Sequence, residues 1–390
     1  MAVKGFKAAA VAAGMRYKNR FDLGLIAADS AAAWAGVFTQ SLCQAAPVLW
    51  SRRCAARGRG RAFLANAGQA NAQTGQEGED NCRISAELTG RELGCGPVEL
   101  MLASTGVIGQ QINMAALTAA IPGLVQNLRP EGLDDFAQAI MTTDIIQKTA
   151  AETFECGGRT VSVWGCAKGS GMIAPNMATM LAFILTDAEV EPELLQRILG
   201  EGADLSFNRV TVDGDTSTND SLMIMASGRS GAPAVVSGQA LEDFKGAVFK
   251  VMKALARLVA KDGEGATKLV TVRVRGAASE EEAKKAARTV AESPLVKTAF
   301  FGCDANWGRI CMALGRCGAF FDPYAVDIDL DEVPWIRNGI DNKQEEAATA
   351  VMKKAEYVLD INLKAGNCEW EMLTCDYSHD YISINGSYRS

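Results

Sequence analysis

The sequence predicts an α+β chain. Strand-like apolar runs dominate the first third, an amphipathic helical stretch fills 241–260, and a further strand–helix unit follows it. The chain's 390 residues exceed what one hydrophobic core ordinarily serves, so a smaller C-terminal α+β lobe is expected from about residue 278, after a break near 275–278. No self-similar period suggests a repeat architecture instead.

The elements follow in order. Leu23–Ala28, Val37–Thr39, Arg61–Ala65 and Glu99–Ser104 are short apolar runs with Gly, Asn or Asp nearby, and each predicts a strand. Helices are expected at 112–120 and 132–140, then strands at Thr160–Trp164 and Met180–Leu185. Thr186 or Asp187 is a candidate cap for a helix that places Leu194, Leu195, Ile198 and Leu199 on one face. Leu241–Ala260 repeats Phe244, Val248, Val251, Leu255 and Leu258 at helical spacing. Lys268–Val274 alternates as a strand, and Ser279 with Glu282 forms a capping box for a helix over 280–292, stopped before Pro294. A further strand is expected near Ala299–Gly302.

Composition removes several classes of function. With 48 % apolar and 22 % charged residues the chain reads as an ordinary globular protein. No apolar run reaches the roughly 18–20 residues of a membrane helix. Lys4 and Lys7 before Ala8–Gly14 imitate a secretory leader, but Arg16, Lys18 and Arg20 follow at once, so a cytoplasmic chain is expected. A net charge of −7 argues against nucleic-acid binding. The basic cluster Arg52, Arg53, Arg57, Arg59 and Arg61 reads as a solvated loop rather than a phosphate site. Eleven cysteines without a C-x-x-C pair read as reduced thiols, not a zinc site or a disulfide framework. His379 is the only histidine, which excludes a multi-histidine metal site and makes a histidine-dependent nucleophile depend on that residue alone.

The stretch Lys168-Gly-Ser-Gly-Met-Ile-Ala-Pro-Asn-Met-Ala-Thr179-Met-Leu is the most unusual. Gly169 and Gly171 permit backbone angles closed to other residues, and Pro175-Asn176 favours a turn. Thr179 therefore sits where a constrained loop enters an apolar strand. The spacing Gly169-x-Gly171-x-x-Ala174 imitates a dinucleotide fingerprint, but that motif needs a helix next, which Pro175 and the strand-like run deny. A plain Gly-rich loop remains the ordinary reading of the composition. Ala103-Ser-Thr-Gly-Val-Ile-Gly109, Asp213-Gly-Asp-Thr-Ser-Thr-Asn-Asp220 and Asp262-Gly-Glu-Gly-Ala-Thr267 gather further hydroxylated and acidic residues at predicted element ends.

Taken together, Ser104–Gly109, Met141-Thr-Thr-Asp144, Lys168–Leu181, Gly214–Asn219, Asp262–Lys268 and Asp304-Ala-Asn-Trp-Gly-Arg309 resemble the glutamate N-acetyltransferases of arginine biosynthesis, also called ornithine acetyltransferases. The motifs stand in the family's order and span nearly the whole chain. Asn66-Ala-Gly-Gln-Ala-Asn-Ala72 departs from the family's Asn-Ser-Gly-Asn-Ala-Asn-Ala, and Gly386 stands where alanine is common.

The resemblance implies a fold close to the N-terminal-nucleophile-like aminopeptidases, with sheets sandwiched between helices. It implies self-cleavage between Ala178 and Thr179 into an α chain, 1–178, and a β chain, 179–390, usually assembled as α2β2. The activity implied is ping-pong transfer of acetyl from N-acetylornithine to glutamate through an acetyl-Thr179 ester. No cofactor is implied, although acetyl-CoA is a candidate second donor. The freed α-amine of Thr179, with an ordinary pKa of about 7.7–8.0, would act as its base. Thr105 and the backbone N–H of Gly106 are the implied oxyanion hole, and Thr142, Lys168, Thr179, Glu264, Asn385 and Ser390 the implied substrate contacts. In this reading the C-terminal run Tyr381–Ile384 is a strand that anchors the tail. Two rival readings remain: an N-terminal-nucleophile amidase or aminopeptidase that transfers to water, and a non-catalytic ligand-binding protein.

Overall fold

The computed structural model describes residues 2–174 and 180–387. The expected scissile pair Ala178 and Thr179, and Ser390, lie outside the described residues. The chain forms two compact units, one of Met1–Asn208 with Asp215–Val259 and one of Arg209–Gly214 with Ala260–Ser390. The break expected at 275–278 falls inside the second unit.

In chain order the first unit contains β1 (Phe6–Val11), β2 (Leu23–Phe38), α1 (Ala46–Ala55), β3 (Arg59–Gln69), α2 (Gly75–Leu93), β4 (Leu100–Val107), α3 (Met114–Gln126), α4 (Leu133–Ala139), β5 (Lys148–Cys156), β6 (Arg159–Lys168), β7 (Leu181–Thr186) and α5 (Pro192–Asp204). The short strand β8 (Val210–Thr211) belongs to the second unit, after which β9 (Ser221–Ala226) and most of α6 (Gly238–Lys261) return to the first. The second unit continues with β10 (Leu269–Ala277), α7 (Glu280–Ala291), α8 (Pro294–Gly302), α9 (Trp307–Gly315), β11 (Asp327–Leu330), β12 (Val333–Arg337), β13 (Ile340–Asp341), α10 (Glu345–Met352), β14 (Glu356–Asn362), β15 (Cys368–Cys375) and α11 (His379–Gly386).

The first unit's sheet runs β4-β3-β2-β9-β7-β6-β5, with β1 also paired to β2. Every residue of β7 and β9 is buried, as their near-continuous apolar sequences, broken only by Thr186 and Ser221 at the ends, require of strands covered on both faces. On one side Phe136 of α4 meets Phe183 of β7 edge to face, with centroids 4.9 Å apart. On the other, Gly165 of β6 leaves room for Val251 and Leu255 of α6. The α6 stripe Phe244, Val248, Val251 and Leu255 is buried, each side chain contributing about 1.5–3 kcal/mol. Leu258 is only half-buried, and Val259 takes the next core position. In the second unit, β13-β12-β11-β14-β10-β15-β8 form a second sheet, with α7 packed on β10 and β15. Mixed sheets and helices confirm the α+β class.

Five local expectations are corrected. Leu23–Ala28 and Val37–Thr39 belong to one strand, β2; a register shift against β3 between Ala27 and Ala32 absorbs the polar Asp29-Ser30 interruption. The helix after β7 starts at Pro192, whose fixed φ suits a first helical position, while Thr186 ends the strand and Asp187 accepts from Ser162 N–H at 2.7 Å. The run Ala299–Gly302 is helical, as the end of α8. Tyr381–Ile384 lies in α11, opened by Ser378, whose hydroxyl accepts from Asp380 N–H. Most of the arginine cluster is not loop: Arg52 and Arg53 lie on α1 and Arg59 and Arg61 on β3, with only Arg57 in the turn between them. Arg52 donates to Thr39 O and Arg61 to Ala28 O, while Arg59 pairs with Glu191 at 3.7 Å.

Candidate active site

The first unit's site is built where β3 and β4 end side by side. The strands are parallel, with Ala67 opposite Thr105 and Gly68 opposite Gly106. Gly106 has φ +128, and a Cβ there would stand 2.3 Å from the Gly68 carbonyl carbon. Only glycine permits both that angle and that approach. Thr105 and Gly106 are half-exposed while Ser104 before them is buried, so the strand presents these two at its open end.

Lys168, the last residue of β6, reaches this point and donates from Nζ to Thr105 Oγ1 at 3.2 Å. Its backbone pairs with Leu181, the first residue of β7. The Lys168–Leu181 pair is therefore joined to the Thr105 strand by a side chain.

Asp144 organises the same stem. Its side chain is fully buried and accepts from Lys148 Nζ at 2.6 Å, Gly169 N–H at 2.7 Å and Thr142 N–H at 2.9 Å. Burial alone would raise its carboxyl, but the charges of Lys168 and Lys148 and the hydrogen bonds outweigh burial and hold it at about 2. Thr143 and Ser170 hydroxyls meet at 2.8 Å beside it. The expected contacts Thr142 and Lys168 are thus brought together through a carboxylate for which the sequence reading named no role. The segment after Gly214 reaches both flanks of the 175–179 stretch: Thr216 Oγ1 donates to Ala174 O at 2.8 Å, and Ser221 N–H to Met180 O at 2.9 Å.

In the second unit, Glu264 is 5 % exposed and accepts from Asn385 Nδ2 at 2.8 Å. Gly265, at φ +69, lets the Glu264 turn press against the start of α11; a Cβ there would meet Tyr381 N at 2.6 Å. Ser378 Oγ donates to Gly265 O at 2.6 Å, and Asp376 accepts from Thr267 N–H and Lys268 N–H. These bonds fix Asn385 against Glu264 through a helix, not through the expected strand. His379 is exposed, and its ring meets Phe301 edge-on. Among the described residues, no group of three His, Cys, Asp or Glu side chains is arranged to hold a metal ion. Nor is any helix of those residues long and apolar enough to cross a membrane.

Chemically, the first unit offers a backbone N–H and a hydroxyl at a strand end, with an ammonium beside them. Such a group of donors stabilises an oxygen that gains negative charge. Comparison with known proteins gives the family. A model of the ArgJ family matches residues 7–390. The arginine biosynthesis bifunctional protein ArgJ of Desulfotalea psychrophila is 48 % identical over 393 residues, covering 100 % of both chains. That of Geobacter sulfurreducens is 44 % identical with the same coverage. A crystal structure of the protein of that name from Bacillus halodurans, 39 % identical, matches with a TM-score of 0.51 over 53 % of this chain and 98 % of that one. The match runs the full length and includes the Lys168–Leu181 stem and the Thr105–Gly106 strand end; the chain belongs to the ArgJ family of bifunctional arginine-biosynthesis enzymes.

Proposed function

We propose that the chain cuts itself between Ala178 and Thr179 and then moves acetyl from N-acetylornithine to glutamate through Thr179. The observation that carries the reading is the Lys168–Thr105 hydrogen bond, which joins the stem of the Thr179 segment to the proposed oxyanion donors. A hydroxyl that accepts from an ammonium turns its own hydrogen away from it. Thr105 O–H and Gly106 N–H then serve as two donors toward one oxyanion, each worth about 3–4 kcal/mol.

The proposed cycle balances without a nucleotide. The Thr179 hydroxyl attacks the acetyl carbonyl of N-acetylornithine while its α-amine takes the hydroxyl proton. The C–N bond breaks, that proton passes to the departing ornithine amine, and an acetyl ester remains on Thr179. The glutamate amine attacks the ester, its proton passes through the α-amine back to the Thr179 oxygen, and N-acetylglutamate leaves. Amide is exchanged for amide, so the overall change is close to thermoneutral. Lys168 is suited to a substrate carboxylate, and its neighbour Gly169 shares the Asp144 carboxylate with Thr142. In the second unit, the buried Glu264 carboxylate supports a role in holding an ammonium, with Asn385 and Ser390 as further contacts. Acetyl-CoA as a second donor, an α2β2 assembly and a cytoplasmic location complete the proposal.

The test is product analysis. Purified protein with N-acetylornithine and glutamate should yield N-acetylglutamate and ornithine. Release of acetate alone would establish an amidase instead, and no reaction with an intact chain would leave a binding protein.

A further inference from the structure

The Asp213–Asp220 motif has a place in the site that the reaction scheme above does not use. Asn219 is 7 % exposed, and its Nδ2 donates to Ala70 O at 2.6 Å and to Ser104 O at 2.9 Å. Both amide hydrogens are thereby committed. Its Oδ1 accepts from Thr218 Oγ1 at 2.7 Å, which fixes which way the amide faces. Ser104, 5 % exposed, in turn donates its hydroxyl to Asn66 Oδ1 at 2.6 Å, and Asn66 Nδ2 donates to Gln69 O at 3.0 Å. One side chain therefore fastens Ser104 of β4 and Ala70, the residue just after β3, on either side of the point where Gly68 and Gly106 face each other.

The carbonyl held at Ser104 is half of the peptide unit whose N–H belongs to Thr105. Fixing its plane fixes the Thr105 N–H and the Thr105 Cα, from which the side-chain hydroxyl and, one peptide on, the Gly106 N–H depart. The same segment holds Ala174 O through Thr216 and Met180 O through Ser221, one on each side of the proposed cut. We infer that Asn219 is a positioning residue: it sets the oxyanion donors of Thr105 and Gly106 relative to the segment that carries Thr179. This rests on the proposed reaction. If the cut occurs, Asn219 lies on the 179–390 fragment and its partners Ala70 and Ser104 on the 1–178 fragment, so the brace also ties the two fragments together.

Asn219→Asp keeps the shape but sets carboxylate oxygens against two carbonyl oxygens, and Asn219→Ala removes the brace. Thr218→Val is milder, because it leaves the brace but releases the amide to flip. Each is assayed as cut protein, with active sites counted by the amount of β fragment acetylated at saturation. The expected result is acetylation of Thr179 slowed roughly 10- to 100-fold per counted site for both Asn219 variants, with KM within about threefold. Thr218→Val should slow the same step roughly 3- to 10-fold. A purely structural role lowers thermal stability and the number of active sites but leaves the rate per site at the wild-type value. That result, or a change confined to KM, overturns the inference. If the Asn219 variants do not fold, a wild-type rate per site in Thr218→Val overturns it equally. Wild-type protein run in parallel separates the two claims: failure of wild type to transfer acetyl refutes the proposed function, whereas normal transfer by wild type and all variants refutes the role of Asn219 alone.

Discussion

Replacing Asp144 by asparagine should be the most destabilising isosteric change in the first unit's site. The carboxylate is fully buried, 2.6 Å from the fully buried Lys148 ammonium, and accepts two backbone N–H groups. Its carboxyl is held at about 2 against an ordinary 3.8, a difference worth about 2–3 kcal/mol on its own. Asp144→Asn would leave the Lys148 charge buried opposite a neutral amide, and breaking a buried pair this way costs about 3–5 kcal/mol. At about 2–4 °C per kcal/mol, the melting midpoint should fall by roughly 6–20 °C. The sign of the pH dependence follows from the depressed value. The charge's contribution is fully present above pH 3.8 and is lost as pH falls through about 2. The gap between wild type and Asp144→Asn should thus stay constant from about pH 5 to about 8 and narrow below about 4. Urea or thermal unfolding of both proteins across that range is the assay. A midpoint within about 2 °C of wild type at about pH 7 would refute the assignment of Asp144 as the charged centre of the stem.

Three other outcomes are expected. Thr179→Ala should stay as one chain and transfer no acetyl, whereas Thr179→Ser should cut and turn over more slowly; gel mobility and acetylglutamate formation read both. Gly106→Ala, which forces a Cβ to within 2.3 Å of Gly68 at φ +128, should lose at least about 2 kcal/mol of stability and most transfer activity, measured by urea unfolding and kcat. Deleting 385–390 removes the Asn385 partner of Glu264 and should raise KM while leaving self-cleavage intact; wild-type kinetics in the truncated protein would assign the tail no substrate contact.

Much of the fold was legible because its signals are long and periodic. The stripe of α6 and the Ser279 cap of α7 are local patterns that tertiary structure had no reason to override. Short apolar runs were not: Ala299–Gly302 reads equally as strand or helix by periodicity, and Ser293-Pro294 upstream decides it by opening α8. Tyr381–Ile384 is β-prone in isolation, but Ser378 caps a helix there. At the site, Thr105, Gly106, Lys168 and Thr142 were visible through motif resemblance, and the fold brings Lys168 to Thr105. The roles of Asp144 and Asn219 were not visible, although both stand inside motifs. A carboxylate or amide in a loop reads as a turn residue until burial and partners are known, and those partners come from segments up to 149 residues away. The one available signal was Asp144 with Lys148 at a spacing of four; the two sit at the entry to β5 and not on a helix, so helical pairing rules did not select them.

The central claim is that Thr179 becomes a chain terminus and then carries the acetyl group. Intact mass spectrometry of purified protein, before and after brief exposure to N-acetylornithine without glutamate, tests both halves at once. Two fragments are expected, 1–178 and 179–390, with one acetyl group appearing on the second and disappearing when glutamate is added. A preparation that transfers acetyl while showing only the full-length chain, or an acetyl group that never appears on the 179–390 fragment, would contradict it.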